Sequence, residues 1–534
     1  MSPRGVGGLS LLATRADREP AAAPHLAGPG GTPLSEAELA RVSLIGKPMP
    51  TDRLRGWLVT GFLALFGGFL RLQNLAFPTD KGTPVFDEKH YVPQAWEMLR
   101  NGGYEDNPAY EMTVHPPLGK QMTAIGEWLF GYNAWGWRFI GALCSALMIL
   151  LIVRIARRLT RSTLLGAVAG VLLICDGLSH VQGRMGMLDI FLAFWVLVAF
   201  GCLLLDRDQV RERLALAVAE GWATESRYGP WLGFRWWRFA GGVSLGLACG
   251  VKWSGLFFIA AFGLLTVFWD LTARRAAGVR SPWRGSLLRD VGPGLWALVL
   301  VPLLVYLATW WGWFASETGV DRHLAEKSGL SGWYDVFPIA LRSLWQYSGN
   351  VLDFHENLVT PPTDQHPWES KPWVWPMGLR PMLYYYDGAT TSCGEERCVS
   401  ATMLIGTPAM WWLSLLMLAW GLWRMIGRQD WRYAAVVVAY LAAYLPWFTN
   451  LDRQMYYFSA TPMAAFLVLG LTLVLGQIMG TTRDGPERRG TGLLVVAIYV
   501  GLVVANFVWL WPILNGDSIT EGHWQSELWL PSWK

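Results

Sequence analysis

Eleven predominantly apolar segments, many of them close to twenty residues long, constrain the fold of this chain more than any other feature. A helix of about 20 residues crosses the hydrocarbon core of a bilayer, because each residue adds about 1.5 Å. Only 16% of the 534 residues are charged, against about 25% in a typical soluble domain. The pattern predicts an all-α polytopic membrane protein with about 11 transmembrane helices. The predicted spans are residues 57–76, 133–153, 162–178, 185–205, 239–251, 255–269, 291–314, 403–423, 433–448, 456–478 and 491–513.

The fifth and sixth predicted spans are short, and only the break at residues 250–255 separates them. Two separate helices and one long kinked helix are both compatible with this pattern.

Arginines indicate how the chain is oriented in the membrane. The link between the second and third spans carries Arg154, Arg157, Arg158 and Arg161 without an acidic residue. The links after spans six, eight and ten are also rich in arginine, and eleven crossings put all four links on one side. Because positive loops stay in the cytoplasm, we predict a cytoplasmic N-terminus and an extracytoplasmic C-terminus.

Two long loops are then predicted on the outer side, at residues 77–132 and 315–402. Loops of this length in compact proteins usually have a function. We predict four regions: a mostly disordered cytoplasmic tail (1–56) with a short helix around residues 35–42, an N-terminal catalytic transmembrane module (57–314), the second outer loop (315–402) and a C-terminal transmembrane module (403–534).

Two of the six cysteines, Cys393 and Cys398, lie in a polar part of the second outer loop. A local disulfide is consistent with an oxidising compartment. A zinc site is weakly supported, because two further ligands at a suitable spacing are missing.

The acid pair Asp87 and Glu88 follows the first span and is the strongest candidate for a catalytic site. Carboxylates near lipid are costly and usually functional. A general base must be a carboxylate or imidazole within hydrogen-bonding reach of the proton, which favours Asp87, with Glu88 orienting a neighbour or binding the acceptor. About thirty residues later, His115 and Lys120 flank a rigid Pro-Pro turn, where either could lie beside an anionic group; a purely structural turn is the alternative.

Five basic residues lie at the predicted outward ends of spans. A single such cation is as easily a snorkelling anchor, but five converging on one face could bind a phosphate whose lipid tail lies in the bilayer. Tyr456 could contribute to this pocket. For Asp176 and Asp189 we predict salt bridges to Arg184. The five cations are Arg71, Arg138, Arg184, Lys252 and Arg453.

The second outer loop contains an aromatic stretch that includes His366 and Trp373. Aromatic rings can stack on a sugar or a peptide, or they can form a small core for the loop, and the sequence favours neither. There is no glycine-rich phosphate loop, HExxH motif or nucleophile elbow, so the sequence gives no support to nucleotide-dependent chemistry.

In these motifs the chain resembles the protein O-mannosyltransferases, in particular the short bacterial members from actinobacteria. The resemblance rests on Phe-Asp-Glu at 86–88, His-Pro-Pro-Leu-Gly-Lys at 115–120, Gly-Arg at 183–184 with Leu-Asp at 188–189, Val-Lys-Trp at 251–253, the 366–373 stretch and residues 453–462.

The resemblance implies a GT-C fold (glycosyltransferase family 39) and transfer of mannose from polyprenyl-phosphate-mannose to Ser or Thr of secretory polypeptides, without a metal. It implies that Asp87 and Glu88 are catalytic, and that Lys252, Arg138 and other outer arginines bind the donor phosphate. It also implies a multi-pass protein of the bacterial plasma membrane, with no nucleic acid partner. Docking to the secretion translocon is left open.

Two other functions remain open from the sequence. One is a GT-C transferase that moves another lipid-linked sugar, such as aminoarabinose or arabinose, to a lipid or glycan. The other is a lipid-sugar flippase or transporter, which is disfavoured because the charged groups cluster at one face instead of through the bilayer depth.

Overall fold

The computed structural model is predominantly helical. The predicted disordered tail falls mostly outside the described residues, whereas its predicted short helix is present as α1 (Glu36–Ile45), capped by Ser35. The structure describes residues 35–107, 113–329, 332–361, 363–390, 392–394, 397–481 and 484–534.

Each of the eleven predicted apolar segments contains a helix. Seven of these helices are long and apolar enough to cross a membrane by length and composition, and the remaining four are shorter or less apolar. The seven are α5 (Ala134–Thr160), α8 (Asp189–Ala219), α10 (Gly255–Ala276), α11 (Pro282–Thr309), α15 (Pro408–Gly427), α17 (Tyr457–Met479) and α18 (Pro486–Trp509). The four are α2 (Arg53–Leu72), α6 (Thr163–Ile174), α9 (Trp236–Val251) and α16 (Trp431–Tyr444).

The fifth and sixth predicted spans are separate helices. Helix α9 ends at Val251 and α10 begins at Gly255, with Lys252 between them in an extended conformation. Helix α9 also packs closely against α11, since a Cβ at Gly242 would lie 1.8 Å from the carbonyl oxygen of Ala297. Small residues allow such close approach between membrane helices. This packing fixes the end of α9, where Lys252 lies.

The predicted outer loops carry short elements. The first loop contains α3 (Glu88–Asn101) and α4 (Leu118–Phe130). Between α6 and α8 lies α7 (Gly177–Gln182). Helix α12 (Trp311–Ala315) leads into the second loop, which contains α13 (Leu324–Ser328) and α14 (Ile339–Asn357). The C-terminal segment contains α19 (Trp511–Asn515) and α20 (Glu521–Glu527).

A small antiparallel sheet joins the second loop to the C-terminal segment, in the order β1 (Met382–Asp387), β2 (Cys398–Leu404) and β3 (Ser518–Thr520). The predicted start of the eighth span at residue 403 is therefore wrong, because β2 runs through Leu404 and α15 begins at Pro408. All seven residues of β2 are buried. The apolar end of this strand was therefore mistaken for the start of a membrane helix. The disulfide between Cys393 and Cys398 is present beside this strand.

Helix α17 lies at the centre of the helical bundle, with nearly all of its residues buried. It packs against α8, α16 and α6. A helix that is apolar on all sides belongs in the interior of a bundle. Its first residue, Tyr457, therefore places the preceding segment, including Arg453 and Tyr456, over the centre of the bundle.

Candidate active site

The turn that carries the acid pair is held in an unusual backbone conformation. Phe86 has a φ of +53°, a region that bulky residues rarely adopt and that costs about 1–3 kcal/mol. Its ring packs against Tyr384 at 4.8 Å and Phe458 at 6.3 Å between ring centroids. These contacts hold the turn so that Asp87 and Glu88 point to different surroundings.

Glu88 is completely buried and saturated with hydrogen bonds. Its carboxylate accepts from Nε and Nη2 of Arg138, at 2.6 and 2.7 Å, and from the amides of Gly186 and Val85. Arg138 also donates to two backbone carbonyls that follow α2. Glu88 therefore anchors the turn to the bundle, and Arg138 serves Glu88 instead of facing an open cavity.

Asp87 differs from its neighbour in having no side-chain partner. It is half-buried, and across the described chain no hydrogen bond or ion pair reaches its carboxylate. Burial raises the pKa of Asp87 to about 6, while the nearby cation of Lys252 acts in the opposite direction. A carboxylate with a pKa near 6 is ionised at neutral pH and still basic enough to take a proton.

Lys252 forms an ion pair with Asp189, the first residue of α8. Its Nζ donates to both oxygens of Asp189, at 3.0 and 2.9 Å, and lies 5.5 Å from the ring centroid of Phe458. The predicted salt bridge between Asp189 and Arg184 is therefore wrong. Lys252 and Asp189 border a cavity that is open to solvent and whose other lining residues include Leu192, Ser254, Phe257, Phe258, Ala443 and Ser459.

A second cation, Arg453, lies in the segment before α17. Its Nη2 is 3.1 Å from Nδ1 of His355, and its guanidinium lies 5.7 Å from the ring centroid of Trp447. The ring of His355 stacks on His115 at 5.7 Å, and His115 in turn lies 5.9 Å from the ring of Tyr91.

Both of these histidines are neutral at physiological pH. Burial lowers the pKa of His115 well below its usual range, and Lys252 acts in the same direction. Burial and the cation of Arg453 lower the pKa of His355 to about 4. The imidazole of His115 has no hydrogen-bond partner within the described ranges, so it is available to a ligand.

Tyr456 and His366 form the edge of the cluster. Tyr456 stacks on Phe458, and His366 meets it edge-on, both at 5.6 Å. The hydroxyl of Tyr456 accepts a hydrogen bond from Gln454 at 2.6 Å. Burial raises the pKa of Tyr456 to about 12, so its hydroxyl stays protonated and can donate to an anion.

Trp373 is 56% exposed, whereas Trp375 of the same stretch is fully buried. Trp375 packs against Trp447 and donates to Oγ of Ser370. The stretch thus forms a small core through Trp375 and leaves Trp373 at the surface, where its predicted contact with sugar or acceptor stays a prediction.

Three predicted ligands have intramolecular partners that occupy their charged groups. Arg71 is fully buried and donates to Ser145 and to backbone carbonyls. Arg184 donates to the carbonyls at the end of α2, including those of residues 70, 71 and 73. Lys120 is paired with Glu105, at 2.7 Å from both of its oxygens. The structure does not bring these side chains to the cavity beside Lys252.

Asp176 also has partners other than the predicted one. Its carboxylate accepts from Nε1 of Trp411 at 2.7 Å and from the amide of Ser179. The predicted salt bridge to Arg184 is wrong here as well, because Arg184 is engaged by the end of α2.

The candidate active site therefore contains a free carboxylate, a lysine shared with an aspartate, an arginine, neutral imidazoles and an apolar cavity. Such a site can remove a proton from a hydroxyl and stabilise a phosphate beside an apolar chain. Of the side chains that the structure describes, no three His, Cys, Asp or Glu residues are arranged to hold a metal ion.

Two family models match the sequence. Residues 133–315 match dolichyl-phosphate-mannose-protein mannosyltransferase, and residues 340–533 match the C-terminal four-transmembrane region of protein-O-mannosyltransferase.

Similar relatives cover nearly all of the chain. A polyprenol-phosphate-mannose--protein mannosyltransferase of Mycobacterium tuberculosis (strain H37Rv) is 54% identical over 486 residues, which is 91% of this chain and 93% of the relative. A protein of the same name from Mycolicibacterium smegmatis (strain MKD8) is 53% identical over 488 residues, covering 91% and 94%.

A chain of the S. cerevisiae protein O-mannosyltransferase Pmt1-Pmt2 complex, solved with the sugar donor bound, has the same fold. The TM-score is 0.69 at 16% identity, and the match covers 93% of this chain and 94% of the other. The predicted GT-C fold is confirmed by this likeness.

Proposed function

The chain belongs to the protein O-mannosyltransferase family, and from this premise we propose that it transfers mannose from polyprenyl-phosphate-mannose to Ser or Thr hydroxyls of secreted or membrane proteins. The observation that carries the mechanism is the free carboxylate of Asp87 beside the pair of Lys252 and Asp189.

The transfer is a single displacement. Asp87 takes the proton of the acceptor hydroxyl, and the oxygen forms a bond to the anomeric carbon on the face opposite the phosphate. The bond from that carbon to the phosphate oxygen breaks, and its electron pair leaves with the polyprenyl phosphate. The mannose is therefore transferred with inversion of its anomeric configuration.

Lys252 and Arg453 stabilise the charge that develops on the leaving phosphate. Fixed cations directed at developing charge lower the barrier without reorganising during the reaction. A phosphate leaves without being protonated, so no general acid is required. For the same reason we propose that the reaction needs no metal ion.

The donor lipid lies in the cavity that Lys252 and Asp189 border. Apart from these two residues the lining is largely apolar, and Phe257 is 42% exposed at its edge. A phosphate at Lys252 would place the first isoprene units along this lining, with the rest of the chain in the bilayer.

The protein is a multi-pass membrane protein. We propose that the site faces the outside of the bacterial plasma membrane, because the arginine-rich links lie on the opposite side. A secretory polypeptide would meet the site there, and docking to the secretion translocon belongs to the same proposal.

The direct test is to incubate membranes containing this protein with radiolabelled polyprenyl-phosphate-mannose and a Ser/Thr-rich peptide. We expect label on that peptide, none on a matched peptide with Ala at each Ser and Thr, and unchanged transfer in EDTA. Label on glycolipid alone would indicate a transferase for lipid or glycan acceptors. Movement of labelled lipid across vesicles without transfer would indicate a flippase.

A further inference from the structure

His355 bridges two segments of the site that are far apart in the sequence. Nδ1 of His355 is 3.1 Å from Nη2 of Arg453, and its Nε2 is 3.2 Å from the carbonyl oxygen of Val114. A guanidinium can only donate and a carbonyl can only accept. Nδ1 must therefore be unprotonated and Nε2 must carry the proton, which defines a single neutral tautomer.

The segment that carries Arg453 is fixed through its backbone. Arg453 forms an isolated antiparallel bridge with Val359, and its carbonyl accepts a hydrogen bond from Nζ of Lys371 at 2.9 Å. Val359 follows directly on α14, the helix of His355. Backbone and imidazole together hold the arginine from one side.

The guanidinium of Arg453 keeps unused donors. Its Nε is buried and has no hydrogen-bond partner within the described ranges. A buried donor without a partner is destabilising, so this N–H is suited to a ligand such as a phosphate oxygen. The imidazole of His355 fixes the plane in which these donors point.

The other end of His355 fixes the loop of His115. Val114 precedes His115 in the Pro-Pro turn, and the two imidazoles stack at an interplanar angle of 28°. Holding the Val114 carbonyl therefore orients His115, whose own nitrogens have no hydrogen-bond partner among the residues that the structure describes.

We infer that His355 is a positioning residue that joins the donor and acceptor halves of the site. Its Nδ1 holds Arg453 toward the donor phosphate, and its Nε2 holds the Val114–His115 turn toward the acceptor hydroxyl. The inference rests on the proposed function, because it assigns the two halves to the two substrates.

Three variants separate the two ends of the imidazole. His355→Phe keeps an aromatic ring against His115 and removes both nitrogens. His355→Asn places an amide oxygen near the position of Nδ1, so it retains an acceptor for Arg453. His355→Gln places an amide nitrogen near the position of Nε2, so it retains a donor for Val114.

The experiment measures kcat and KM for polyprenyl-phosphate-mannose and for a Ser/Thr-rich peptide with the full-length protein. We expect His355→Phe to raise the donor KM about tenfold, since a hydrogen bond to a charged group is lost. Compared with His355→Phe, His355→Asn should restore the donor KM but leave the peptide KM raised. His355→Gln should restore the peptide KM but leave the donor KM raised. Combined with Arg453→Ala, His355→Phe should raise the donor KM no further than Arg453→Ala does alone.

Several results would overturn the inference. These are a donor KM within twofold of wild type in His355→Phe, effects that multiply in the double variant, or identical behaviour of the Asn and Gln variants. If His355→Phe fails to fold, the comparison of His355→Asn with His355→Gln tests the inference instead. His323→Ala, a half-exposed histidine of the same loop, is the matched control. A wild-type protein that labels no Ser/Thr peptide would refute the proposed function instead.

Discussion

Helices α8 and α9 each carry residues of two separate clusters of charged side chains, and the two clusters behave differently. Helix α8 begins at Asp189 and carries Asp206 about five turns later, roughly 25 Å along its axis. Helix α9 starts beside Arg235 and ends at Lys252. The candidate active site therefore shares its scaffold with a second charged cluster at the opposite end.

That second cluster, the tetrad, consists of Arg235, Arg238, Asp206 and Asp270. Nε of Arg235 donates to Asp206 at 2.7 Å and its Nη1 to Asp270 at 2.9 Å, while Nη2 of Arg238 donates to Asp270 at 2.7 Å. All four side chains are buried. Two cations and two anions thus satisfy one another, and the tetrad ties α8, α9 and α10 together.

The candidate active site also combines carboxylates with cations, but its pairing is incomplete. Asp87 has no partner in the part of the chain that the structure describes, and Arg453 retains an unpaired Nε. The difference teaches that unused hydrogen-bonding capacity, and not the number of charges, distinguishes a site for a ligand from a structural network. Buried groups that are left unpaired are costly and usually have a function.

The largest expected effect separates the two clusters directly. Asp87→Asn should lower kcat about 10²–10⁴-fold, because the general base is lost, and should leave the amount of folded protein unchanged. Asp206→Asn should instead lower the amount of folded protein, because two buried arginines are left with Asp270 as their one anion in the tetrad; loss of one partner from a buried ion-pair network costs about 3–5 kcal/mol. Turnover per folded molecule, with folded protein measured by size exclusion, distinguishes them.

The comparison would fail if Asp87→Asn retained wild-type turnover, or if folded Asp206→Asn turned over as slowly as Asp87→Asn. Asp189→Glu is a useful control, because it keeps the charge opposite Lys252 and should stay within a few-fold of wild type.

Glu88→Gln tests whether Glu88, like the tetrad, stabilises the fold instead of taking part in the reaction. Removing its charge leaves Arg138 buried without its anion, so we expect a loss of about 3–5 kcal/mol in stability. Turnover should also fall, because the turn that presents Asp87 is released. Thermal unfolding in detergent measures the first effect, and a variant that unfolded like wild type while losing turnover would place Glu88 in the chemistry instead.

Lys252→Met tests the phosphate site. Loss of a charge-assisted contact should lower kcat/KM for polyprenyl-phosphate-mannose by roughly 10- to 100-fold. The peptide KM should change little. The double variant Asp189→Asn/Lys252→Met removes the unpaired carboxylate, so it separates destabilisation from lost donor binding. Equal donor dependence in wild type and Lys252→Met would contradict the assignment.

The sequence predicted the helical fold well, because the length and apolarity of a membrane span are local properties. The sequence also selected Asp87 and Lys252 as candidate site residues, since each interrupts or follows an apolar run at the predicted outer face, and the structure places the two near each other. Of the two alternatives for the fifth and sixth spans, the structure shows two separate helices, with residues 252–254 between α9 and α10.

Pairing between distant residues could not be predicted in the same way. Arg71, Arg138 and Arg184 lie near the predicted outer ends of spans. Only the folded chain shows that they bind Ser145, Glu88 and the end of α2, respectively. An arginine that holds the fold together and one that binds a ligand look the same in the sequence. They differ only in the group that the guanidinium contacts, and in the folded chain that group comes from a distant residue.

His355 and Asp189 were missed as members of the site for the same reason. A signal for Asp189 was present, because it lies near the start of the predicted span 185–205, at the same predicted outer face as Lys252. For His355 the signal was weaker, since its bridge between Val114 and Arg453 depends on two loops meeting.

The most direct test of the account is the pH dependence of kcat/KM in wild type and in Lys252→Met, at pH values where the folded protein is retained. Only ionised Asp87 accepts a proton, and its pKa is about 6, so the wild-type rate should be level above pH 7 and fall about tenfold by pH 5. Because the cation of Lys252 lowers the pKa of Asp87, Lys252→Met should move this acid limb to higher pH. A flat wild-type profile between pH 5 and 7, or an acid limb that stays in place in Lys252→Met, would contradict the assignment of Asp87 as the base beside Lys252.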